Sequence, residues 1–231
     1  MTRPSRRNVL GYGLILATAV SMSVSMTACS ADADSSTGPT TPHGYTLTEV
    51  PGFGISLAVP SDWTTLTHDD LDDELVQAVA DALDQEPDSV RENAQTFHLI
   101  SVDADATDFT ENLVVSQYQL EDGLPPEEEF AEVTADDQVD SSDFVQRTTG
   151  SGAEAALYTA SGKLAGSGRA FSIAFMAIMT GGATGTPDTA GSTEDGTAAS
   201  TDPGGTVTFV MIDAASAERA REIADAVLAS L

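Results

Sequence analysis

The amino-acid sequence predicts an α+β domain, and three patterns support that fold class. Short apolar runs bounded by glycine and proline predict several β-strands. Apolar residues at helical spacing predict helices in the first half of the chain and at its C-terminal end. The predicted order is a hairpin, a helix, strands, a short helix, further strands and a C-terminal helix. We assign residues 45–231 to this domain, which at about 187 residues is long enough to bury one core.

The domain is expected to begin with a β-hairpin. Residues 45–50 and 55–59 have the composition of strands, and Pro51–Gly54 between them is a turn signal. Trp63 follows the second strand and is the only tryptophan in the chain. Because its ring is large and mostly apolar, we expect Trp63 to be largely buried.

A helix and two strands are predicted next. Apolar residues recur at helical spacing from Leu71 to Leu83, and acidic residues crowd the first turn, where negative charge suits the helix dipole. The helix is expected to end before Pro87, which we interpret as the start of a turn. The following strands are predicted at residues 97–103 and 113–120.

The middle of the domain is predicted to contain a short helix and then three strands. Pro126 at a first helical position predicts a helix to about Ala135, and residues 136–143 are interpreted as an acidic loop. The strands are predicted at residues 144–149, 155–161 and 169–180. The last of them is the most apolar run after the N-terminal segment, so we expect a central strand covered on both faces.

The insertion at about residues 181–205 contains no aromatic or branched aliphatic side chain. Such a segment cannot bury enough apolar surface to offset the entropy of ordering, so we predict that it is disordered and extends a hairpin. Residues 206–212 are the predicted returning strand. Asp213 is the predicted N-cap of a last helix, whose apolar face runs from Ala217 to Leu231.

Residues 1–28 are interpreted as a signal peptide. Arg3, Arg6 and Arg7 form a basic start, and the apolar run that follows is shorter than the roughly 20 residues that a membrane-spanning helix needs. Arg6 and Arg7 lie in a segment that resembles the twin-arginine export motif. An ordinary basic start that happens to contain two adjacent arginines remains open.

The sequence Met-Thr-Ala-Cys at residues 26–29 resembles the bacterial lipobox. That resemblance implies lipidation of the Cys29 sulfur, cleavage before Cys29 and anchoring at the outer face of the cytoplasmic membrane, within the cell envelope. Two or three acyl chains make a persistent anchor, whereas one is marginal. The alternative is a secreted protein cleaved nearby. Residues 29–44 are then the lipidated cysteine and a flexible linker, whose span is on the order of 20 Å.

The charge of the chain excludes one class of partner. The formal net charge is −28, with 37 acidic and 9 basic side chains, and removal of residues 1–28 takes three of those basic ones. Nucleic acid binding depends on neutralising phosphates with lysine and arginine, so we expect no nucleic-acid partner.

Two segments are similar to those of a known lipoprotein family. FGISLAVPSDW at residues 53–63 and DFTENLVV at residues 108–115, with the closing helix, resemble the LpqN/LpqT type of actinobacterial lipoprotein in the Mog1/PsbP-like superfamily. The resemblance implies an α/β sandwich, a mostly antiparallel sheet with helices packed on its faces. It also implies a binding or accessory role rather than catalysis.

The sequence contains no pattern that predicts a catalytic, cofactor-binding or metal site. It has three histidines, no Gly-x-Ser-x-Gly and no His-Glu-x-x-His. The acidic cluster at residues 68–74 is interpreted as helix capping, with weak binding of a divalent cation as the alternative. Asn112 is expected to form hydrogen bonds at the start of a strand, and His98 to be a half-exposed strand residue.

The leading hypothesis is a membrane-anchored binding or accessory module of the cell envelope with a protein partner. Two alternatives remain open. One is an envelope hydrolase with a non-standard site. The other is a carrier of lipid or another small ligand, which requires an apolar pocket.

Overall fold

A seven-stranded antiparallel sheet forms the centre of the fold, and a separate two-stranded hairpin packs on it. The computed structural model describes residues 39–107, 109–120, 123–165, 168–181 and 205–231. Arg6, Arg7, Cys29 and most of the predicted insertion lie outside the described residues. The elements in chain order are β1 (Tyr45–Val50), β2 (Ile55–Pro60), β3 (Thr64–Thr67), α1 (Asp73–Leu83), α2 (Pro87–Thr96), β4 (Leu99–Val102), β5 (Asn112–Leu120), α3 (Glu127–Ala131), β6 (Gln138–Thr148), β7 (Glu154–Lys163), β8 (Ala170–Gly181), β9 (Gly205–Asp213) and α4 (Ala217–Ser230).

The strand order in the large sheet is β3-β4-β5-β9-β8-β7-β6, and every neighbouring pair is antiparallel. The strand β8 therefore lies inside the sheet, as its apolar sequence predicts, and β9 returns beside it. The predicted α+β fold, a mostly antiparallel sheet with helices packed on its faces, is confirmed. None of the helices in the described part of the chain is long and apolar enough to cross a membrane.

One face of the sheet, which we call the α4 face, is covered by α4 and by the β1–β2 hairpin. The α4 residues Ile223, Ala224 and Val227 share a core with strand residues such as Met176 and Ile212. The hairpin adds further apolar side chains to the same core, among them Val50, Leu57 and Val59. Trp63 belongs to this core and is buried, as predicted.

The opposite face, the α1–α3 face, carries two smaller apolar clusters. One lies under α1 and α2 and includes Val76, Val79 and Ile100. The other lies under α3, where Phe130 is fully buried against Tyr158 and its neighbours. Successive strand residues point to opposite faces of the sheet, so each strand contributes to both layers.

Three predictions of local structure are wrong for identifiable reasons. The acidic segment 136–143 is mostly strand, because β6 begins at Gln138; this edge strand is exposed along most of its length and therefore lacks an apolar pattern. Pro87 opens the ten-residue helix α2 rather than a turn, and a proline fits a first helical position. Asp213 does not cap α4. Ser216 does, accepting a hydrogen bond from the Arg219 backbone N–H.

Replacing Phe130 with alanine is expected to lower the free energy of unfolding by about 3–5 kcal/mol, because the ring is buried in the centre of the α3 cluster. Val133→Ala is the matched control, since Val133 is 38% exposed in the turn that follows α3. Urea unfolding of the chain from residue 29, with Cys29→Ser, measures both. Equal effects of the two substitutions would contradict the packing described here.

Candidate functional site

The centre of the α1–α3 face, where β5 and β9 lie side by side, is the candidate functional site. The helices of this face pack on strands at its two ends, α1 on β3 and β4, and α3 on β7. Cross-strand pairing places Asn112 opposite Asp213, Ser116 opposite Phe209 and Tyr118 opposite Val207. We call this surface the β5–β9 strip, and its defining residues are Asn112, Ser116, Tyr118, Phe209, Met211 and Asp213.

One end of the strip is aromatic and open to solvent. Tyr118 is 51% exposed, the largest value among the large apolar side chains of the described residues. Its ring lies edge-on to Phe209 with centroids 5.7 Å apart, and Phe209 stacks on Phe175 at 5.5 Å. Phe175 in turn meets the buried ring of Phe130 at 5.4 Å. The exposed Tyr118 ring is therefore contacted at its side by a continuous series of aromatic rings on the same face of the sheet, in geometries that favour such pairs.

The other end of the strip is polar and buried. Asn112 and Asp213 are 4% and 9% exposed, and Asn112 Nδ2 donates to Asp213 Oδ2 at 3.4 Å. Asn112 Oδ1 is also buried and accepts no hydrogen bond. The Arg169 guanidinium lies 4.8 Å from the centroid of the Phe109 ring, and its charge acts on Asp213. An unsatisfied buried acceptor is uncommon in folded proteins, so we include this end of the strip in the candidate site.

Burial raises the pKa of Asp213 from 3.8 to about 6, against the opposing effects of the Asn112 hydrogen bond and the Arg169 charge. The folded carboxyl therefore keeps its proton to a higher pH than the unfolded one. The stabilisation linked to that proton is fully present below pH 4 and is lost as the pH rises through about 6. Carboxyl groups whose pKa is shifted in this way occur more often at functional sites than elsewhere in proteins.

A network of charged side chains fixes the position of the residue that precedes β5. The buried carboxylate of Glu111 accepts from the Ala215 backbone N–H at 2.9 Å and from Arg219 Nε at 3.1 Å. Arg219 also pairs with Glu222 at 3.0 Å. These contacts connect Glu111, the residue before β5, to the start of α4. They therefore fix the backbone next to Asn112.

A second polar feature lies outside the strip, at the tip of the β1–β2 hairpin. The ring of Phe53 lies 4.3 Å from that of His98, and His68 lies 4.9 Å from His98. His68 Nε2 also lies 3.1 Å from Asp69 Oδ1. Burial, and then the His68 charge, lowers the pKa of His98. The sequence did not reveal that these two histidines meet, because they come together only through the β3–β4 pairing.

The acidic cluster before α1 serves the helix. Asp72 Oδ1 accepts from the Glu74 backbone N–H at 2.9 Å, which confirms the capping interpretation. Within residues 39–231 as described, no group of three or more histidine, cysteine or carboxylate side chains is placed to hold a metal ion.

A cleft of about 460 Å³ lies beside the start of β6 and the end of β7. Its walls include Asp136, Asp137, Gln138 and Lys163, with Leu164 as the one large apolar side chain. Charged and polar side chains line this cleft beside a single large apolar one, so it does not have the predominantly apolar lining of a lipid-binding pocket.

The structure confirms the hydrogen-bonding role predicted for Asn112, and it adds Asp213 to the candidate site. Asn112 forms a side-chain hydrogen bond at the start of β5, as expected. Asp213 was missed as a site residue because an aspartate before a helix is an ordinary N-cap signal. A carboxyl that directly ends an apolar strand was the available hint, but only the β5–β9 register shows that it faces Asn112.

Replacing Asp213 with asparagine is expected to remove a pH-dependent loss of stability. At pH 7.5 the variant should be more stable than wild type by up to about 3 kcal/mol, since a pKa shift of about two units corresponds to that energy. Urea unfolding at pH 4, 5, 6 and 7.5 measures the difference. Asp105→Asn, at an exposed carboxyl of the loop before β5, is the control. The same decline between pH 4 and 6 in wild type and Asp213→Asn would contradict the assignment.

Comparison with known proteins adds no further constraint. A scan against protein-family models and searches of curated proteins and of solved structures found no match to this chain. A proposal about function therefore depends on the residues of the strip and on the N-terminal sequence.

Proposed function

We propose that this chain is a lipid-anchored binding module of the cell envelope whose β5–β9 strip binds a protein partner. The observation that carries the proposal is the exposed ring of Tyr118 on a rigid aromatic support. Exposed aromatic side chains with fixed positions are typical anchors of protein interfaces, because they bury a large area at little cost in side-chain entropy.

The N-terminal sequence supports the anchor. Arg6 and Arg7 are the export signal of this proposal, and Cys29 carries the acyl chains that hold the protein at the membrane. The linker enters the domain beside α4, where the Thr40 backbone N–H donates to the Ala229 carbonyl at 2.8 Å. Because α4 covers the opposite side of the sheet, a tether attached there leaves the strip uncovered.

The resemblance to the LpqN/LpqT type of lipoprotein supports the same role. The α+β architecture is compatible with the Mog1/PsbP-like superfamily, to which we assign the domain as part of this proposal. The known members of that superfamily bind or assist other proteins. Fold alone does not choose a partner, so the choice depends on the surface of the strip.

One observation favours an envelope hydrolase as the alternative. Asp213 has a pKa of about 6 and lies beside an amide oxygen without a partner, an arrangement compatible with acid–base chemistry near neutral pH. Turnover of an ester, glycan or peptide by the wild type and not by Asp213→Asn would favour that alternative over the binding role.

Replacing Cys29 with serine is expected to release the protein from membranes, because an oxygen nucleophile does not replace the thiol in lipid transfer. Fractionation of cells and mass spectrometry of the N-terminal peptide measure the change. Wild type should be found in the membrane fraction with acylated Cys29. An unmodified thiol in the native product, or recovery of wild type from the cytosol, would refute the anchor.

A photo-crosslinking phenylalanine analogue at position 118 is expected to capture a specific protein partner in living cells, because it keeps an aromatic ring on the strip. The same analogue at position 47 is the matched control. Leu47 is 49% exposed, close to Tyr118, but lies on the hairpin strand β1. A partner captured equally from both positions, or from neither, would contradict binding at the strip.

A further inference from the structure

We propose that the tip of the β1–β2 hairpin is a pH-sensitive latch. The ring of Phe53 packs on His98 while His98 and its neighbour His68 are neutral, and it separates from the sheet when His98 takes up a proton in mildly acidic solution. This inference is independent of the binding role proposed above, because it concerns residues outside the strip.

Phe53 connects the tip of the hairpin to the rest of the domain. The turn at residues 51–54 has glycines at positions 52 and 54, both with positive φ, and a Cβ at either position would meet nothing within 4 Å. The Phe53 ring between them lies 4.3 Å from that of His98, at an angle of 50°, and it also packs at the margin of the α4-face core. The contact between Phe53 and His98 therefore contributes to holding the tip in place, and the flanking glycines add no side-chain contact there.

The sheet holds the two histidines close together. The pairing of β3 with β4 extends to Thr67 opposite Leu99, and the His68 backbone N–H donates to the His98 carbonyl at 3.3 Å. The two rings lie edge to face with centroids 4.9 Å apart. Because the backbone fixes both residues, a change in their charge is accommodated by the side chains and by the hairpin tip rather than by the strands.

The surroundings of His98 favour the neutral ring. The Nδ1 atoms of His98 and His68 are both buried and have no hydrogen-bond partner among the described residues. A protonated imidazole donates from both ring nitrogens, so a proton at His98 Nδ1 would be buried without an acceptor, which is unfavourable. Burial, and then the charge of His68, lowers the pKa of His98.

The charged groups around the pair come from the loop after β3. His68 Nε2 lies 3.1 Å from Asp69 Oδ1, so this carboxylate compensates a charge on His68. Asp69 also favours protonation of His98, but its effect is smaller than those of burial and of His68. The turn at residues 51–54 and the end of α2 at residues 95–97 contain no titratable side chain. A protonated His98 therefore meets a second imidazolium, and the two share one carboxylate.

The direction of the pH effect follows from the lowered pKa of His98. The ordinary imidazole pKa is 6.5, and that of the packed His98 lies below it. The packed tip is therefore fully favoured above pH 6.5 and loses stability as the pH falls below that value. An attraction between a protonated imidazole and the Phe53 ring would act in the opposite sense and hold the tip more tightly in acid. The two effects predict opposite results, so an experiment separates them.

Fluorine NMR at position 53 tests this inference. 4-Fluorophenylalanine replaces Phe53 in the chain from residue 29 with Cys29→Ser, and the same chain in urea gives the signal of a released ring. From pH 7.5 to pH 5.0 the signal should move toward that of the released ring. The ratio of released to packed ring should rise severalfold, with a midpoint below pH 6.5. A constant signal, or one that moves away from the released position, would overturn the inference.

Variants assign the titration to the histidines. His98→Phe keeps a ring beside Phe53 that takes up no proton, so the fluorine signal should stay constant between pH 7.5 and pH 5.0. His68→Gln removes the neighbouring charge and should move the midpoint to higher pH. His43→Gln, at an exposed histidine of the linker, is the matched control and should leave the midpoint unchanged. Titration that persists in His98→Phe, or an unchanged midpoint in His68→Gln, would overturn the latch.

Two further measurements separate release of the tip from a global effect of pH. Asp213 titrates in the same range, so Asp213→Asn should give the same midpoint at position 53 as wild type. Far-ultraviolet circular dichroism should stay constant from pH 7.5 to pH 5.0, because the strands and helices remain formed. A change in the circular dichroism with the same midpoint, or loss of the titration in Asp213→Asn, means unfolding of the whole domain and refutes the local release.

Discussion

The pairing of β5 with β9 is the constraint on which the rest of the structure depends. These strands are far apart in the chain, yet they pair over nine consecutive positions, from Asn112 opposite Asp213 to Leu120 opposite Gly205. Because side chains alternate between faces, a shift of one residue would move each side chain to the wrong layer. The observed register places Val210 and Ile212 in the α4 core and leaves Phe209 and Met211 on the strip.

The two faces of the sheet are closed to different degrees. On the α4 face, a fourteen-residue helix and a hairpin cover the central strands with a continuous core. On the α1–α3 face, the helices pack over the two ends of the sheet, and the apolar side chains beneath them form two separate clusters. Tyr118 is exposed beside the α3 cluster, on the part of β5 that pairs with Val207. The exposed aromatic end of the strip results from this unequal cover, and not from any single motif.

Two buried polar side chains at the polar end of the strip, Asn112 and Asp213, lower the stability of the fold. A buried carboxyl with a raised pKa lowers stability near neutral pH, and a buried amide oxygen without a partner lowers it further. Neither Asn112 nor Asp213 is required by the packing of the core, which apolar side chains supply. Proteins commonly retain such costly groups where they serve binding or chemistry, which agrees with the assignment of this end to the site.

The sequence by itself determined the local elements with strong patterns. The hairpin, the helix α1, the apolar strand β8 and the amphipathic helix α4 are all evident from spacing and turn residues, because these signals depend on neighbours in the chain. Where the pattern was weak, prediction failed. The exposed edge strand β6 was interpreted as a loop, and the polar helix α2 as a turn. The sequence also predicts an N-terminal export segment and lipidation of Cys29, which stay predictions because both lie outside the described residues.

Only the tertiary structure decided which side chains meet. Tyr118 and Phe209 are ordinary strand residues in the sequence, and Asp213 has the position of a helix cap. Their roles follow from the non-local register of β5 and β9, and from which part of the sheet the helices leave open. Local patterns carry no information about pairing between strands about ninety residues apart, because such pairing is selected by the packing of the whole core.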